Sequence, residues 1–92
     1  MGLTITFHPK GMSAAKYDQC IRQLEAAGQG APAGRLYHTC FGPSDQLRVV
    51  DVWASQQQFD KFGAVLMPIL SSLGIDVGTP DIQLQHNSIV GK

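Results

Sequence analysis

Residues 47–59 read Leu47-Arg48-Val49-Val50-Asp51-Val52-Trp53-Ala54-Ser55-Gln56-Gln57-Gln58-Phe59, the pattern of a strand that continues directly into a helix. Val49 and Val50 are adjacent, so their side chains point to opposite sides of any sheet, and Val52 lies on the same side as Val50. The pattern predicts a strand buried on both faces, whereas an antiparallel sheet normally leaves one face to solvent. A chain this short has too few helices to cover both faces. We therefore expect a second copy of the chain to cover one of them.

Short apolar runs and helical stripes elsewhere predict the remaining strands and two helices. The predicted strands, in chain order, are Leu3–His8, Arg35–Phe41, Leu47–Trp53 and Asp81–His86, with an extension of the last to Val90 left open. Ser13 and Ser55 are suited to cap the helices, whose apolar residues recur at helical spacing. Gly28 and Gly74 are placed to end them. Pro68 interrupts the second stripe, so we expect a kink just before it, or two short helices with Pro68 opening the second.

The element order β-α-β-β-α-β is that of the split βαβ, or ferredoxin-like, unit. We therefore predict one α+β domain over residues 1–92. It has a four-stranded antiparallel sheet in the order 4-1-3-2 and both helices on one face. The opposite face is then bare within a single chain, and the valines between residues 49 and 52 indicate that it is not left to solvent. The expected partner is an identical chain, which gives a homodimer through the sheet face.

Composition excludes several classes of function. The chain has 92 residues, a net charge of zero and only 15% charged residues, and its basic residues form no stripe, so nucleic-acid binding is not expected. No segment approaches the roughly 20 apolar residues of a membrane span. Residues 3–7 are too short for the apolar part of a signal peptide. Cys20 and Cys40 lack metal or redox spacing, so we expect a soluble cytoplasmic protein with reduced thiols.

Three stretches resemble the dimeric α/β-barrel superfamily. The first is a strand that ends in Val52-Trp53, followed by Ala54-Ser55 and then by Phe59 in a helix. Within the superfamily the chain is most similar to small antibiotic-biosynthesis-monooxygenase-like (ABM-like) proteins. The Pro-Ala-Gly-Arg-Leu-Tyr-His segment at residues 32–38 and the Leu-Met-Pro segment at residues 66–68 resemble a mostly uncharacterised branch of these proteins.

The resemblance covers nearly the whole chain. It implies a homodimer whose two sheets close into a barrel with the helices outside, and pockets between each sheet and its own helices. Members include cofactor-independent monooxygenases of quinol-like substrates, haem-degrading enzymes and isomerases. The quinol-monooxygenase-like branch often has a histidine nine residues after the tryptophan, and here that position is Phe62. The best-known catalytic position of that branch is therefore missing.

His38 and Asp51 are the candidate catalytic pair. An aspartate within an apolar strand needs a partner, because an unpaired buried carboxylate is costly. If Phe41 pairs with Leu47, Tyr37 faces Asp51 and its hydroxyl satisfies the carboxylate, a structural role that we favour. If the register slips by one residue, His38 faces Asp51, and residue 36 lies opposite residue 53. A carboxylate would then orient a histidine, which suits general-base chemistry.

The candidate ligand pocket is aromatic. Its expected residues are Tyr17, Trp53, Phe59, Phe62, Leu66 and His86. Trp53 could stack on an aromatic ligand or fill the core between sheet and helix, and both alternatives stay open. For Tyr17, we favour core packing with the hydroxyl at the pocket rim.

We expect no metal and no cofactor. The three histidines His8, His38 and His86 lie on different strands or at opposite strand ends, so they should not converge on one ion. Cys20 is expected to be an inert buried thiol, and Cys40 has no neighbouring base in the predicted strand.

Three functions are compatible with the sequence, which does not decide whether the chain is an enzyme. The first is a cofactor-independent monooxygenase or isomerase that acts on an aromatic, quinone-like metabolite, with His38, His86 or Asp51 moving a proton. The second is a non-catalytic homodimer that binds a small ligand or is purely structural. Haem binding, which needs a histidine facing a large open cleft, is the third and the least favoured.

Overall fold

The computed structural model describes residues 2–91, which contain four strands and two helices. Their bounds are β1 Leu3–Phe7, α1 Ala14–Ala26, β2 Arg35–Phe41, β3 Arg48–Trp53, α2 Gln56–Ser72 and β4 Asp81–Leu84. All neighbouring strands pair antiparallel, in the order β2-β3-β1-β4. The predicted ferredoxin-like topology and strand order are confirmed. No helix among these residues is long and apolar enough to cross a membrane.

Both helices begin at the predicted serines. Ser13 Oγ accepts a hydrogen bond from the Lys16 backbone N–H at 3.2 Å. Ser55 Oγ accepts from the Gln58 backbone N–H at 3.2 Å and donates to Gln58 Oε1 at 3.0 Å. These contacts satisfy backbone donors that have no partner within the helix itself.

The second helix continues through Pro68, so the expectation of two short helices is wrong. Proline removes one backbone donor from the helix. The turn after it carries Leu70, which is buried in the core. Burial of this apolar side chain offsets the lost hydrogen bond and keeps the last turns helical.

The last strand is shorter than predicted. β4 ends at Leu84, and His86 lies in an exposed bend beyond it, so the assignment of His86 to the strand is wrong, as is the extension to Val90. The reason is pairing. Leu84 lies opposite Leu3, where β1 begins, and past this pair the Gln85 backbone N–H donates to the Gly2 carbonyl oxygen at 2.9 Å.

The helices cover one face of the sheet, and the core lies between them and that face. On β3 this face carries Val49, Asp51 and Trp53, all buried, whereas Val50 and Val52 point to the other side and are half-buried. The strand registers place a common set of side chains on that other side, here called the open face: Thr4, Thr6, Tyr37, Thr39, Phe41, Arg48, Val50, Val52, Asp81 and Gln83. Within one chain the open face has no cover among the described residues.

Candidate functional site

An apolar cavity lies between the covered face of the sheet and the two helices. Its volume, as space open to the centre of a water molecule, is about 50 Å³. Of the described residues, sixteen line it, and besides Cys20 the polar or charged side chains among them are Tyr17, Arg35, His38 and Asp51. The resemblance implied a pocket in this place. The cavity is apolar with a few convergent polar groups, which is the usual make-up of a small-molecule site.

Three polar side chains form one hydrogen-bonded line along this cavity. His38 Nδ1 lies 2.6 Å from Asp51 Oδ1, and His38 Nε2 lies 2.6 Å from the Tyr17 hydroxyl. His38 comes from β2, Asp51 from β3 and Tyr17 from α1. The line therefore joins the sheet to a helix.

Strand register brings His38 and Asp51 together. His38 lies opposite Asp51 and Phe41 opposite Arg48, which is the register that the sequence analysis did not favour. The favoured pairing of Tyr37 with Asp51 is wrong, because Tyr37 lies opposite Val52 on the open face. Asp51 is only 3% exposed, so its carboxylate depends on these protein partners.

Asp51 and Tyr17 together define what the imidazole does. A carboxylate can only accept, so Nδ1 of His38 carries a hydrogen and donates it to Asp51. In a neutral ring Nε2 then has the lone pair and accepts the Tyr17 O–H. His38 is thus held in the tautomer whose basic nitrogen faces the cavity side of the line.

Trp53 also donates a hydrogen bond to the Asp51 carboxylate. Its Nε1–H donates to Asp51 Oδ2 at 3.2 Å, so both carboxylate oxygens are occupied. The indole is fully buried and packs against Phe59 and Phe62, with ring centroids 5.5 and 5.3 Å away. Of the two alternatives for Trp53, the structure has the core residue.

The Tyr17 hydroxyl, expected at the pocket rim, lies 2.6 Å from His38 Nε2. Burial, with a smaller contribution from Cys40, raises the pKa of Tyr17 to about 12 from the ordinary 10.0. Arg35 acts in the opposite direction and lowers the pKa. Tyr17 is therefore a neutral phenol at neutral pH, able to donate to His38 and to accept from a ligand at once.

Arg35 is a site residue that the sequence analysis missed. It lies opposite Trp53, with a register irregularity between Arg35 and Tyr37, so the expectation of Leu36 opposite Trp53 is wrong. Gly34 precedes it with φ +90°, and a Cβ there would collide with the Gln58 side chain. The signal available in the sequence was Gly34, since a glycine at the start of a strand is typical of a bulge or close approach.

The six expected pocket residues divide into two groups. Tyr17, Phe62 and Leu66 line the cavity, whereas Trp53 and Phe59 lie in the core and His86 is exposed after β4. Phe62 also lines a larger outer hollow of about 340 Å³, together with Gln29, Pro32, Ala33, Gln58 and Lys61. The Phe62 side chain is thus common to the linings of the inner cavity and the outer hollow.

Neither metal nor thiol chemistry has support in this part of the chain. Within residues 2–91, no three His, Cys, Asp or Glu side chains lie close enough to hold a metal ion. Burial raises the pKa of the Cys20 thiol, and burial together with Asp18 raises that of Cys40. Both thiols are therefore protonated at neutral pH and poor nucleophiles.

No protein-family model matches the chain, and no curated protein does. Solved structures do match. SnoaB, described as a cofactor-independent oxygenase from Streptomyces nogalater, has a TM-score of 0.63 and 15% identity, over 96% of this chain and 94% of SnoaB. The chain has the ABM-like fold.

Two further structures give the same result for the fold. A Caulobacter crescentus protein, provisionally described as an antibiotic biosynthesis monooxygenase, has a TM-score of 0.55 and 18% identity over 89% of this chain and 83% of its own. A Nitrosomonas europaea protein of unknown function has a TM-score of 0.53 and 15% identity over 99% and 94%. At such identities the likeness establishes the ABM-like fold alone, and an activity has to be argued from the site.

Proposed function

We propose that this chain is a cofactor-independent monooxygenase, or an isomerase that starts with the same proton removal, acting on an aromatic, quinol-like metabolite. The observation that carries the proposal is the hydrogen-bonded line of Asp51, His38 and Tyr17 beside an apolar cavity. A positioned base of this kind typically contributes about 10²–10⁴-fold to a rate. The description of SnoaB as a cofactor-independent oxygenase supports the monooxygenase at the level of fold.

His38 is the base in this mechanism. Asp51 holds the Nδ1–H and stabilises the imidazolium that forms, which is the role of the carboxylate in a catalytic triad. Because Tyr17 already occupies Nε2, the proton reaches His38 through the Tyr17 hydroxyl. The tyrosine oxygen takes a proton from the substrate while its own hydrogen moves to Nε2. Tyr17 is neutral before and after, in keeping with its high pKa.

Oxygenation then requires O2 and no other oxidant. The substrate anion passes one electron to O2, and the two radicals combine at carbon. Protonation by the His38 imidazolium through Tyr17 gives a hydroperoxide. Loss of water from CH–OOH leaves a carbonyl, so that CH2 plus O2 becomes C=O plus H2O. The carbon supplies all four electrons. An isomerase would instead return the proton to a second position without O2.

The test is oxygen uptake by purified protein with a panel of hydroquinones and aryl ketones that carry an acidic CH2. We expect substrate-dependent uptake, one isotope-labelled oxygen atom in the product, and loss of both in His38→Ala. His8→Ala is the matched control, because His8 is an exposed histidine outside the cavity lining. Deuterium exchange into the substrate under nitrogen measures proton removal alone and covers the isomerase. No uptake and no exchange with any compound, or full activity in His38→Ala, would overturn the proposal.

A non-catalytic homodimer, either ligand-binding or purely structural, is the second candidate, and the small cavity favours the structural form. Drug-sized ligands occupy pockets of about 300–1,000 Å³, whereas this cavity offers about 50 Å³. That is room for a few water molecules. Trp53 is the single tryptophan of the chain and lies beneath the cavity, so its fluorescence reports on ligands. Saturable quenching by an aromatic compound without turnover would support this second function.

For either function, we propose a homodimer formed through the open face. The supporting observation is its apolar content: Val50 and Val52 are only half-buried, Tyr37 is 57% exposed and Phe41 is 38% exposed. A 92-residue domain also has a small core of its own, which a second copy would extend.

A further inference from the structure

Arg35 lies on the opposite side of β2 from the one that strand alternation predicts. Residues two apart in a strand share a face, and Tyr37 and Thr39 are on the open face. A regular strand would therefore send Arg35 to the open face and Leu36 towards the helices. The irregularity between Arg35 and Tyr37 pairs Arg35 with Trp53 instead. As a result Arg35 lines the cavity and Leu36 is 66% exposed.

This exchange works against the hydrophobic effect. An apolar leucine is left in water, and a permanently charged guanidinium is turned towards an apolar cavity, where desolvation is costly. Core packing alone gives no reason for such a substitution of one side chain by the other. Bulges are enriched beside active sites, where they re-aim a side chain. A ligand that needs the arginine would supply the reason.

The guanidinium is oriented but largely free to bind. Its Nη2 donates to the Gly30 carbonyl oxygen at 3.2 Å, and its Cζ lies 5.6 Å from the centroid of the Phe62 ring. Among residues 2–91 no carboxylate lies within 4.0 Å of it. Arginine has five N–H donors. The one hydrogen bond that the guanidinium makes within the described part of the chain therefore leaves most of these donors for another acceptor.

We infer that Arg35 recognises an oxyanion of the ligand, and that the site selects aromatic compounds that carry a carboxylate or an ionised phenol. The planar guanidinium fork matches a carboxylate and lies over the Phe62 ring, while the apolar lining takes the aromatic ring of the ligand. Among residues 2–91, Arg35 is the one arginine or lysine of the cavity lining. It acts as a specificity-determining and positioning residue.

The inference rests on the proposed function in taking this cavity as the ligand site, and it adds the charge of the ligand. The field of Arg35 also reaches the end of the proton line, because it lowers the pKa of Tyr17. An anion bound by Arg35 would lie next to the hydroxyl that exchanges the proton. The guanidinium would then stabilise the charge left on the substrate when the proton departs.

The test compares benzoate with benzamide, two small ligands of nearly equal shape that differ in charge. Binding to the full chain is measured by calorimetry and by Trp53 fluorescence. We expect wild type to bind benzoate on the order of tenfold tighter than benzamide, the factor that corresponds to about 1.4 kcal/mol. Arg35→Gln should bring the two affinities within about twofold by lowering that of benzoate alone. Arg35→Lys, which keeps the charge but loses the fork, should lie between them.

Lys61→Gln is the matched control. Lys61 lines the outer hollow beside Phe62, so this substitution removes the same charge outside the cavity. It should keep the preference for benzoate. The inference is overturned if wild type binds both ligands equally or binds neither, if the preference survives in Arg35→Gln, or if Lys61→Gln abolishes it as well. A retained benzoate preference with no oxygen uptake and no exchange would overturn the proposed reaction and leave the anion site standing.

Discussion

The Nδ1 atom of His38 lies 2.6 Å from Oδ1 of Asp51, across the β2–β3 pair. The carboxylate is buried and holds Trp53 with its other oxygen. Because it can only accept, it fixes the His38 tautomer from a position that no solvent reaches. One hydrogen bond thus serves two purposes. It satisfies the buried Asp51 carboxylate, and it leaves Nε2 of His38 as the basic nitrogen.

Asp51→Asn should slow proton transfer strongly without moving the backbone. The asparagine oxygen can still accept from Trp53, and its NH2 then faces His38 Nδ1. His38 must switch to the tautomer with hydrogen on Nε2, which cannot accept a proton. We expect the rate of proton removal to fall by at least ~10²-fold, because the wrong histidine tautomer in a catalytic triad lowers the rate by more than that. Nitrogen NMR of the imidazole measures the tautomer directly, and an unchanged tautomer with lost activity would contradict this account.

Stability should decline at high pH because of Tyr17. Its pKa in the folded protein, about 12, lies above the ordinary 10.0, so the folded state holds this proton more tightly. The contribution to stability is complete below pH 10 and is lost as the pH rises through 12. Denaturant unfolding of wild type and Tyr17→Phe across this range should show a steeper decline in wild type.

Two comparisons separate the ionisation of Tyr17 from that of other groups in the same alkaline pH range. Cys20 and Cys40 also have raised pKa values and contribute a decline of the same sign in both proteins. The difference between wild type and Tyr17→Phe therefore isolates the tyrosine. In Tyr37→Phe, Tyr17 is the remaining tyrosine of the chain, so its ionisation can be followed by ultraviolet absorbance. Ionisation of Tyr17 near its ordinary pKa would refute the prediction.

Phe62→Leu should open the inner cavity to the outer hollow. Phe62 is common to both linings, and a shorter side chain removes the partition between them. We expect bicyclic aromatic ligands to gain affinity relative to single rings. The loss of stability should stay below the roughly 3–5 kcal/mol of a Phe→Ala change. Ligand titration followed by Trp53 fluorescence checks the change.

Leu66→Ala is the comparison for Phe62→Leu. Leu66 lines the inner cavity and not the outer hollow, so its truncation enlarges the cavity without opening it. Single-ring ligands should gain affinity, and bicyclic ligands should not. Equal effects of the two substitutions would show that Phe62 is not the partition.

Val52→Glu should break the proposed homodimer. Val52 is half-buried on the open face, next to Thr4 and opposite Tyr37, so a carboxylate there would be buried in the interface of two copies. Light scattering should show a dimer for wild type and the 9.9 kDa monomer, or unfolded chain, for the variant. Leu84→Glu is the control, since Leu84 is 75% exposed and lies on the other side of the sheet. A monomeric wild type would remove the dimer.

The elements and their order could be predicted from residues with strong local signals. Ser13 and Ser55 cap the helices as expected, and β2 has the predicted bounds Arg35–Phe41. The failures occur where local preference met a tertiary constraint. Pro68 stays within one helix because Leu70 is buried, and β4 stops at Leu84 because β1 begins opposite it.

Sequence alone determined the ferredoxin-like order of the elements, since hydrophobic periodicity and capping act over a few residues and fix which faces must be covered. The ABM-like fold was indicated by the resemblance of three stretches. Sequence alone also identified His38 and Asp51 as a candidate catalytic pair whose contact depends on the strand register. Tertiary structure decided the rest, because a one-residue slip exchanges the faces of a strand, and no local signal sets that slip. The register joined His38 to Asp51, the packing of α1 brought Tyr17 to Nε2, and one irregularity in β2 turned Arg35 towards the cavity.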